Sequence, residues 1–193
     1  APEPSPSRPL RPSAVEDDTA ALSPLAAGDS WRWQRGLTIH RLLQTLPDMP
    51  ADQRPTAARR WLTHLPPEVA EKTWHEVEAV LSSPDFAPLF GPSSRAEVPV
   101  TGLLNNGVVI AGQIDRLAVT DEAVWIVDFK TNRPPALTVT AVPKAYLKQL
   151  ASYRAVLAPI YPGKSIKAAL LWTHEARLMA IPAELLDEFA PAP

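Results

Sequence analysis

The chain has 193 residues, of which 46% are hydrophobic and six are tryptophan, enough for one domain with its own core. Its formal net charge of −2 gives no overall sign of nucleic-acid binding. Without cysteine it has neither disulfides nor thiolate metal sites, which fits a reducing compartment, and we expect a cytoplasmic protein. No run approaches the roughly 18 apolar residues of a membrane span, so we expect no membrane contact.

Residues 1–30 are rich in proline and carry an acidic patch at Glu16–Asp18. Such a composition buries little apolar surface, which predicts an extended linker over 1–30 and one folded domain over 31–193. The chain begins with Ala1, which fits a fragment of a longer polypeptide and equally fits removal of an initiator methionine.

Three helices are predicted next. From Trp33 to Leu46, apolar residues recur at helical spacing. The stripe consists of Trp33, Leu37, Leu43 and Leu46. His40 falls on this stripe, which makes it a polar group on a buried face, placed to point into a cleft. The second helix is predicted over Pro55–His64 and the third over Pro67–Leu81, with a proline in its first turn.

A mixed α/β pattern follows. The predicted strands are Ala96–Leu104, Val108–Val119, Ala123–Lys130, Ile166–Thr173 and Arg177–Ile181. Asn105-Asn106-Gly107 is a turn signal between the first two strands. A helix over Lys144–Leu157 separates the third strand from the fourth, and a short helix over Ala183–Phe189 closes the chain. Helices and strands in this order predict a layered α/β domain.

The second and third strands carry the main functional signal. If they form an antiparallel hairpin centred on the acidic turn at 121–122, Asp115 faces Asp128 and Gln113 faces Lys130. Two carboxylates and a lysine then share one face. Facing carboxylates resist ionising together, and a divalent cation removes that penalty. The pattern therefore predicts a metal site; the alternative is a buried Asp–Lys ion pair beside an aspartate that caps a turn.

At these residues the chain resembles a known family. Asp115 followed by Asp128-Phe-Lys130 resembles the PD-(D/E)xK nuclease signature, with Ile114 in place of the usual proline. Four phrases in this order resemble the C-terminal nuclease domain of the RecB/AddA helicase-nucleases, and the AddA branch fits best from about residue 9 to 181. The phrases are GLTIHRLL (36–43), GQIDRL (112–117), VDFKTNR (127–133) and QLASY (149–153).

The resemblance implies a restriction-endonuclease-like mixed sheet flanked by helices. It further implies a Mg²⁺-dependent deoxyribonuclease, with Mn²⁺ as a possible substitute, acting on single-stranded DNA in double-strand break repair and recombination. The parent chain would carry a helicase motor and pair with an AddB-like subunit. By resemblance, Asp115, Asp128 and Lys130 are catalytic, and His40 joins the two aspartates as a metal ligand; a lone helical histidine is otherwise more often structural.

Accessory residues are expected on the following helix. Gln149 and Tyr153 are four apart and share one helical face; the resemblance places them near the site, where they would orient Lys130 or the DNA backbone. Between Lys130 and His174 the charged residues are all basic, and tyrosines are interleaved, a composition that suits phosphate contact and base stacking. We expect Arg133 and Lys148 to contact DNA.

The sequence leaves one further carboxylate and one alternative function to consider. Glu97 is a possible site carboxylate, but a glutamate on an edge strand is usually only solvated, so we leave it outside the predicted site. The alternative function is a non-catalytic DNA-binding or assembly module that keeps a nuclease fold. Loss of an acidic ligand or of the lysine would favour that alternative, and both aspartates and Lys130 are present.

Overall fold

In the computed structural model of the protein, residues 9–12 and 30–191 are described. The helices are α1 (Ser30–Thr45), α2 (Arg54–Leu62), α3 (Pro67–Ser82), α4 (Lys144–Leu157) and α5 (Ala183–Glu188). The strands are β1 (Ser94–Leu103), β2 (Val109–Val119), β3 (Ala123–Lys130), β4 (Ser165–Trp172) and β5 (Arg177–Ile181). None of these helices is long and apolar enough to cross a membrane.

The five strands form one mixed sheet in the order β1-β2-β3-β4-β5. All neighbouring pairs are antiparallel except β3 and β4, which are parallel and joined by the crossover through α4. The turn between β1 and β2 uses Gly107 at φ 83°, a conformation that glycine adopts without strain. The predicted mixed sheet with flanking helices is confirmed, and α4, β3 and β5 have the predicted bounds.

Helices cover both faces of the sheet, and each face has its own core. On one face, α4 and α5 pack on sheet residues such as Ile126, Leu170 and Trp172. On the other face α1, α2 and α3 pack on Val127, Phe129 and other residues of the sheet. The site described below lies where β1, β2 and β3 meet these two layers, so side chains from both layers can reach it.

The predicted apolar stripe of α1 is wrong at its N-terminal end. Trp33 and Leu37 are 64% and 52% exposed, whereas the buried face is formed by Ile39, Leu42, Leu43 and Leu46. Exposed apolar residues near the start of the helix have the same spacing as buried ones, so periodicity alone cannot tell which of them face the core.

The predicted linker over 1–30 is described only at residues 9–12, and the rest of it lies outside the described residues. Within that stretch, Leu10 forms a parallel bridge with Ile110 of β2. Its N–H donates to the carbonyl of Val109 at 2.7 Å, and its carbonyl accepts from the N–H of Ala111 at 3.0 Å. At least this part of the N-terminal segment therefore pairs with the sheet. The division into linker and domain stays a prediction.

Candidate metal centre

The hairpin of β2 and β3 has the register that the sequence predicts. Its pairs run from Val119↔Val124 to Arg116↔Val127, and the next pair in the same register is Asp115 with Asp128. The ladder ends just before this pair. There the Asp115 carboxylate accepts a hydrogen bond from the backbone N–H of Phe129 at 2.6 Å. A side chain thus replaces a ladder bond at the point where the two strands separate.

The side chains of β2 also change phase near Asp115. Ile110, Ile114 and Leu117 all pack in the core beneath α4. Strict alternation cannot put residues 114 and 117 on one face, because successive side chains of a regular strand point to opposite faces. The strand is therefore irregular between them, and Asp115 reaches the opening between β2 and β3 rather than lying under α4.

Glu97 lies on the neighbouring strand at the same level. The β1–β2 pairs Ala96↔Arg116 and Val98↔Ile114 flank it, so Glu97 stands opposite Asp115. Its φ is 51°, in the left-handed region. This conformation costs a residue with a side chain about 1–2 kcal/mol, and such strain clusters at functional sites. Three carboxylates, from Glu97, Asp115 and Asp128, thus form a row across three strands.

His40 completes a possible set of metal ligands. One ligand atom from each of His40, Glu97 and Asp115 lies within 4.8 Å of the other two, and this is the one such group among the described residues. His40 Nδ1 lies 3.5 Å from Asp115 Oδ1, and its ring packs edge-on against Phe129. Two carboxylates and an imidazole are acceptable donors for Mg²⁺ or Mn²⁺, so these residues fit a divalent cation. Sequence reasoning left Glu97 out.

The protonation of the three groups reflects their crowding. Burial lowers the pKa of His40, but the Asp115 carboxylate outweighs it and the pKa is raised to about 9. Burial raises the pKa of Asp115, but the charge of His40 and the Phe129 N–H hold it below its ordinary value. The pKa of Glu97 is raised by burial and by the charge of Asp115. A cation here would replace the proton of His40 and relieve the repulsion between the carboxylates.

Asp128 and Lys130 lie beside this group as a buried ion pair. Lys130 Nζ is 2.7 Å from Asp128 Oδ2, and both side chains are about 5% exposed or less. The ammonium also lies 3.8 Å from the ring centre of Tyr146 and 3.5 Å from Gln149 Oε1. The structure therefore brings Gln149 to Lys130, where it can orient the ammonium. Asp128 is not within the set of three ligand residues, although its charge acts on His40.

Tyr153 occupies a different place. It is fully buried, and its hydroxyl accepts a hydrogen bond from the backbone N–H of Gln113 at 3.3 Å. A Cβ at Gly112 would lie 2.6 Å from that hydroxyl, so glycine is what lets the ring approach β2. Tyr153 thus supports the strand that carries Asp115. Because Tyr146 is buried as well, neither ring is available to stack on a base.

The basic residues after β3 do not form one continuous surface. Arg133 bonds Glu76 at 2.7 Å, and Glu76 also pairs with Arg35 of α1. Arg154 pairs with Asp187 at 2.6 Å. Lys148 is exposed on α4. Several of these cations therefore bind groups of the protein itself. The proposed contacts of Arg133 and Lys148 with DNA stay predictions.

The family model of the PD-(D/E)XK nuclease superfamily matches residues 20–190. A solved structure titled "Crystal structure of SSO0001" is similar, with 14% sequence identity and a TM-score of 0.35. That alignment covers 77% of this chain and 70% of the other. A search of curated protein sequences found no match.

Proposed function

Since this chain belongs to the PD-(D/E)XK nuclease superfamily, we propose that it is a divalent-cation-dependent deoxyribonuclease that hydrolyses phosphodiester bonds at the row of carboxylates. One observation supports this most strongly. Ligand atoms of His40, Glu97 and Asp115 lie within 4.8 Å of one another, next to the ion pair of Asp128 and Lys130. Glu97 and Asp115 stand on facing strands and repel each other in the absence of a cation, which raises the pKa of Glu97 together with its burial.

His40, Glu97 and Asp115 would hold the cation, with Asp128 as the next carboxylate in the row. Mg²⁺ suits the oxygen ligands, and Mn²⁺ also accepts the imidazole. When bound, the ion would act as a Lewis acid, lowering the pKa of a water and neutralising charge on the phosphate. The Phe129 N–H fixes one Asp115 oxygen, so the protein holds this ligand in place before a cation binds.

Lys130 supplies the positive charge of the site. Its ammonium is held by Asp128, Gln149 and the ring of Tyr146, so little reorganisation is needed when negative charge develops on the phosphate. A preorganised cation of this kind stabilises a transition state more than a ground state. We assign Lys130, Asp115 and Asp128 the catalytic roles and Gln149 a positioning role.

The finer biological role follows from the resemblance of the four phrases to AddA-type helicase-nucleases. We propose single-stranded DNA as the substrate, with the chain acting as the nuclease unit beside a helicase motor in double-strand break repair and recombination, in the cytoplasm. An AddB-like subunit would be its partner. These assignments rest on the phrases, of which GQIDRL and VDFKTNR contain the carboxylates and the lysine of the site.

The test is cleavage of end-labelled single-stranded DNA by the chain with Mg²⁺, with Mn²⁺ and with EDTA. Cleavage should require the cation and should fall at least about a hundredfold in Asp115→Asn, the scale for losing a preorganised electrostatic group. Asp121→Asn, in the exposed turn of the same hairpin, is the matched control and should keep full activity. If the domain binds DNA but never cleaves it, even when joined to its motor and partner, the non-catalytic alternative is right.

A further inference from the structure

A cleft opens directly beside the candidate metal centre, between α1 and α2. Its volume is about 590 Å³, and His40 and Glu97 form part of its lining. The rest of the wall includes Arg41, Arg60 and Trp61. A molecule in this cleft would therefore touch two of the three proposed ligand residues. The cleft belongs to the same site but extends beyond the groups that would hold a cation.

The two helices that form the cleft are basic, although the chain as a whole is not. Neither α1 nor α2 contains an aspartate or a glutamate, while both contain several arginines; over the whole chain, 21 acidic residues outnumber 19 basic ones. Arg35 and Arg54 serve the fold, through Glu76 and through backbone carbonyls. Arg41 and Arg60 are exposed at the cleft. The local charge favours an anionic ligand.

Trp61 provides an aromatic surface in the same cleft. It is 42% exposed and lines the cleft, so part of its ring is accessible to a ligand. The Arg41 guanidinium lies 5.0 Å from the centre of its ring. His64 Nε2 lies 3.0 Å from Thr38 Oγ1, which ties the end of α2 to α1. Trp61 is therefore held in a fixed position relative to Arg41 of the neighbouring helix.

We propose that this cleft binds the single strand of DNA next to the bond that is cut, with Trp61 stacked on one unpaired base and Arg60 and Arg41 on its phosphates. Aromatic rings stack on unpaired bases of any sequence, and arginine binds phosphate through a planar fork. This inference rests on the proposed nuclease function and adds where the strand lies. Trp61 thus takes the role of base stacking that the sequence suggested for the tyrosines, because Tyr146 and Tyr153 are buried.

Binding is measured in EDTA with the full chain and a fluorescein-labelled oligothymidylate, by anisotropy over a range of salt concentrations. Trp61→Ala should weaken binding about tenfold, within the range for losing one stacked base, and Trp61→Phe should keep most of the affinity. Arg60→Ala should weaken binding and reduce the salt slope by about one. Binding of a blunt-ended duplex should be insensitive to Trp61→Ala, because all of its bases are already paired and stacked.

Two matched controls test the cleft itself. Arg59 is the exposed neighbour of Arg60 on α2, and Trp33 is an exposed tryptophan of α1; neither lines the cleft. Arg59→Ala and Trp33→Ala should change affinity less than about twofold. If they weaken binding as much as Arg60→Ala and Trp61→Ala do, or if Trp61→Ala weakens duplex binding equally, the proposal is overturned.

A strand with one abasic position, moved step by step along the oligonucleotide, tests the stacking directly. At one position of the abasic site, the unmutated protein should lose about as much affinity as the Trp61→Ala substitution costs on the intact strand. Trp61→Ala should bind that abasic strand and the intact strand equally well. Equal loss in both proteins at every position would contradict the stacking. The assay in EDTA involves no cleavage, so it separates this inference from the proposed function. Asp115→Asn should stop cleavage and leave the contribution of Trp61 unchanged.

Discussion

Replacing Lys130 by methionine should destabilise the protein because it leaves a buried carboxylate without its ammonium. Lys130 Nζ is 2.7 Å from Asp128 Oδ2, with side-chain exposures of 4% and 5%. Breaking a buried pair by removing one partner typically costs about 3–5 kcal/mol, while replacing both partners by neutral residues of similar volume is often neutral. We therefore expect Lys130→Met to lose about 3–5 kcal/mol and Lys130→Met/Asp128→Asn to lose less than either single variant.

The assay is urea unfolding in EDTA, followed by tryptophan fluorescence, for the two single variants, the double variant and the unmutated chain. The four free energies of unfolding form a cycle whose coupling term isolates the pair. If the losses add within about 0.5 kcal/mol, the two groups do not interact and the ion-pair reasoning is refuted. The same cycle separates a catalytic effect of Lys130→Met from simple loss of folded protein.

Three further outcomes are expected. Glu97→Gln should stabilise the metal-free protein at pH values where Glu97 is ionised, and it should reduce the increase in melting temperature with Mg²⁺. Burial and the charge of Asp115 raise the pKa of Glu97, so its ionisation destabilises the fold. Gly112→Ala should cost about 1–3 kcal/mol in urea unfolding, because its Cβ would meet Tyr153 Oη at 2.6 Å. His40→Asn should remove about 1–2 kcal/mol at pH 6, after discounting for its partly exposed ring, and little above pH 9.

The sign for His40 follows from its raised pKa. The folded value of about 9 exceeds the ordinary 6.5, so its stabilisation is fully present below pH 6.5 and is lost as the pH rises through 9. A pH-independent loss in His40→Asn would contradict this. For Glu97→Gln, destabilisation without metal would be the contrary result. Gly91→Ala is the control for Gly112→Ala, since its Cβ has no neighbour closer than 3.6 Å; equal losses would reject the steric argument.

The hairpin and its register could be read from sequence because they rest on local signals. An acidic turn between two β-rich runs fixes which residues face each other, and the pairs from Val119↔Val124 to Arg116↔Val127 have the predicted register. The ladder ends there, one pair short of Asp115 and Asp128. The approach of Gln149 to Lys130 was also expected. Sequence periodicity, however, assumes a regular strand, and β2 is irregular at Asp115.

The role of Glu97 could not be predicted for this reason. Its φ of 51° and the phase change of β2 between Ile114 and Leu117 turn the two facing carboxylates toward His40. Neither irregularity has a sequence signal, because glutamate is a rare choice in the left-handed region. The cleft beside Trp61 was missed likewise. Its two walls are helices whose exposed faces meet only in the tertiary fold, and the longest basic run that is continuous in sequence lies after Lys130.

The most direct measurement of the central claim is anomalous diffraction from crystals of this chain soaked in Mn²⁺. One dominant peak is expected at bonding distance from His40, Glu97 and Asp115, and Asp115→Asn crystals should lack it. A peak at other residues, or no peak at saturating Mn²⁺, would contradict the assignment of this carboxylate row as the metal centre of the nuclease.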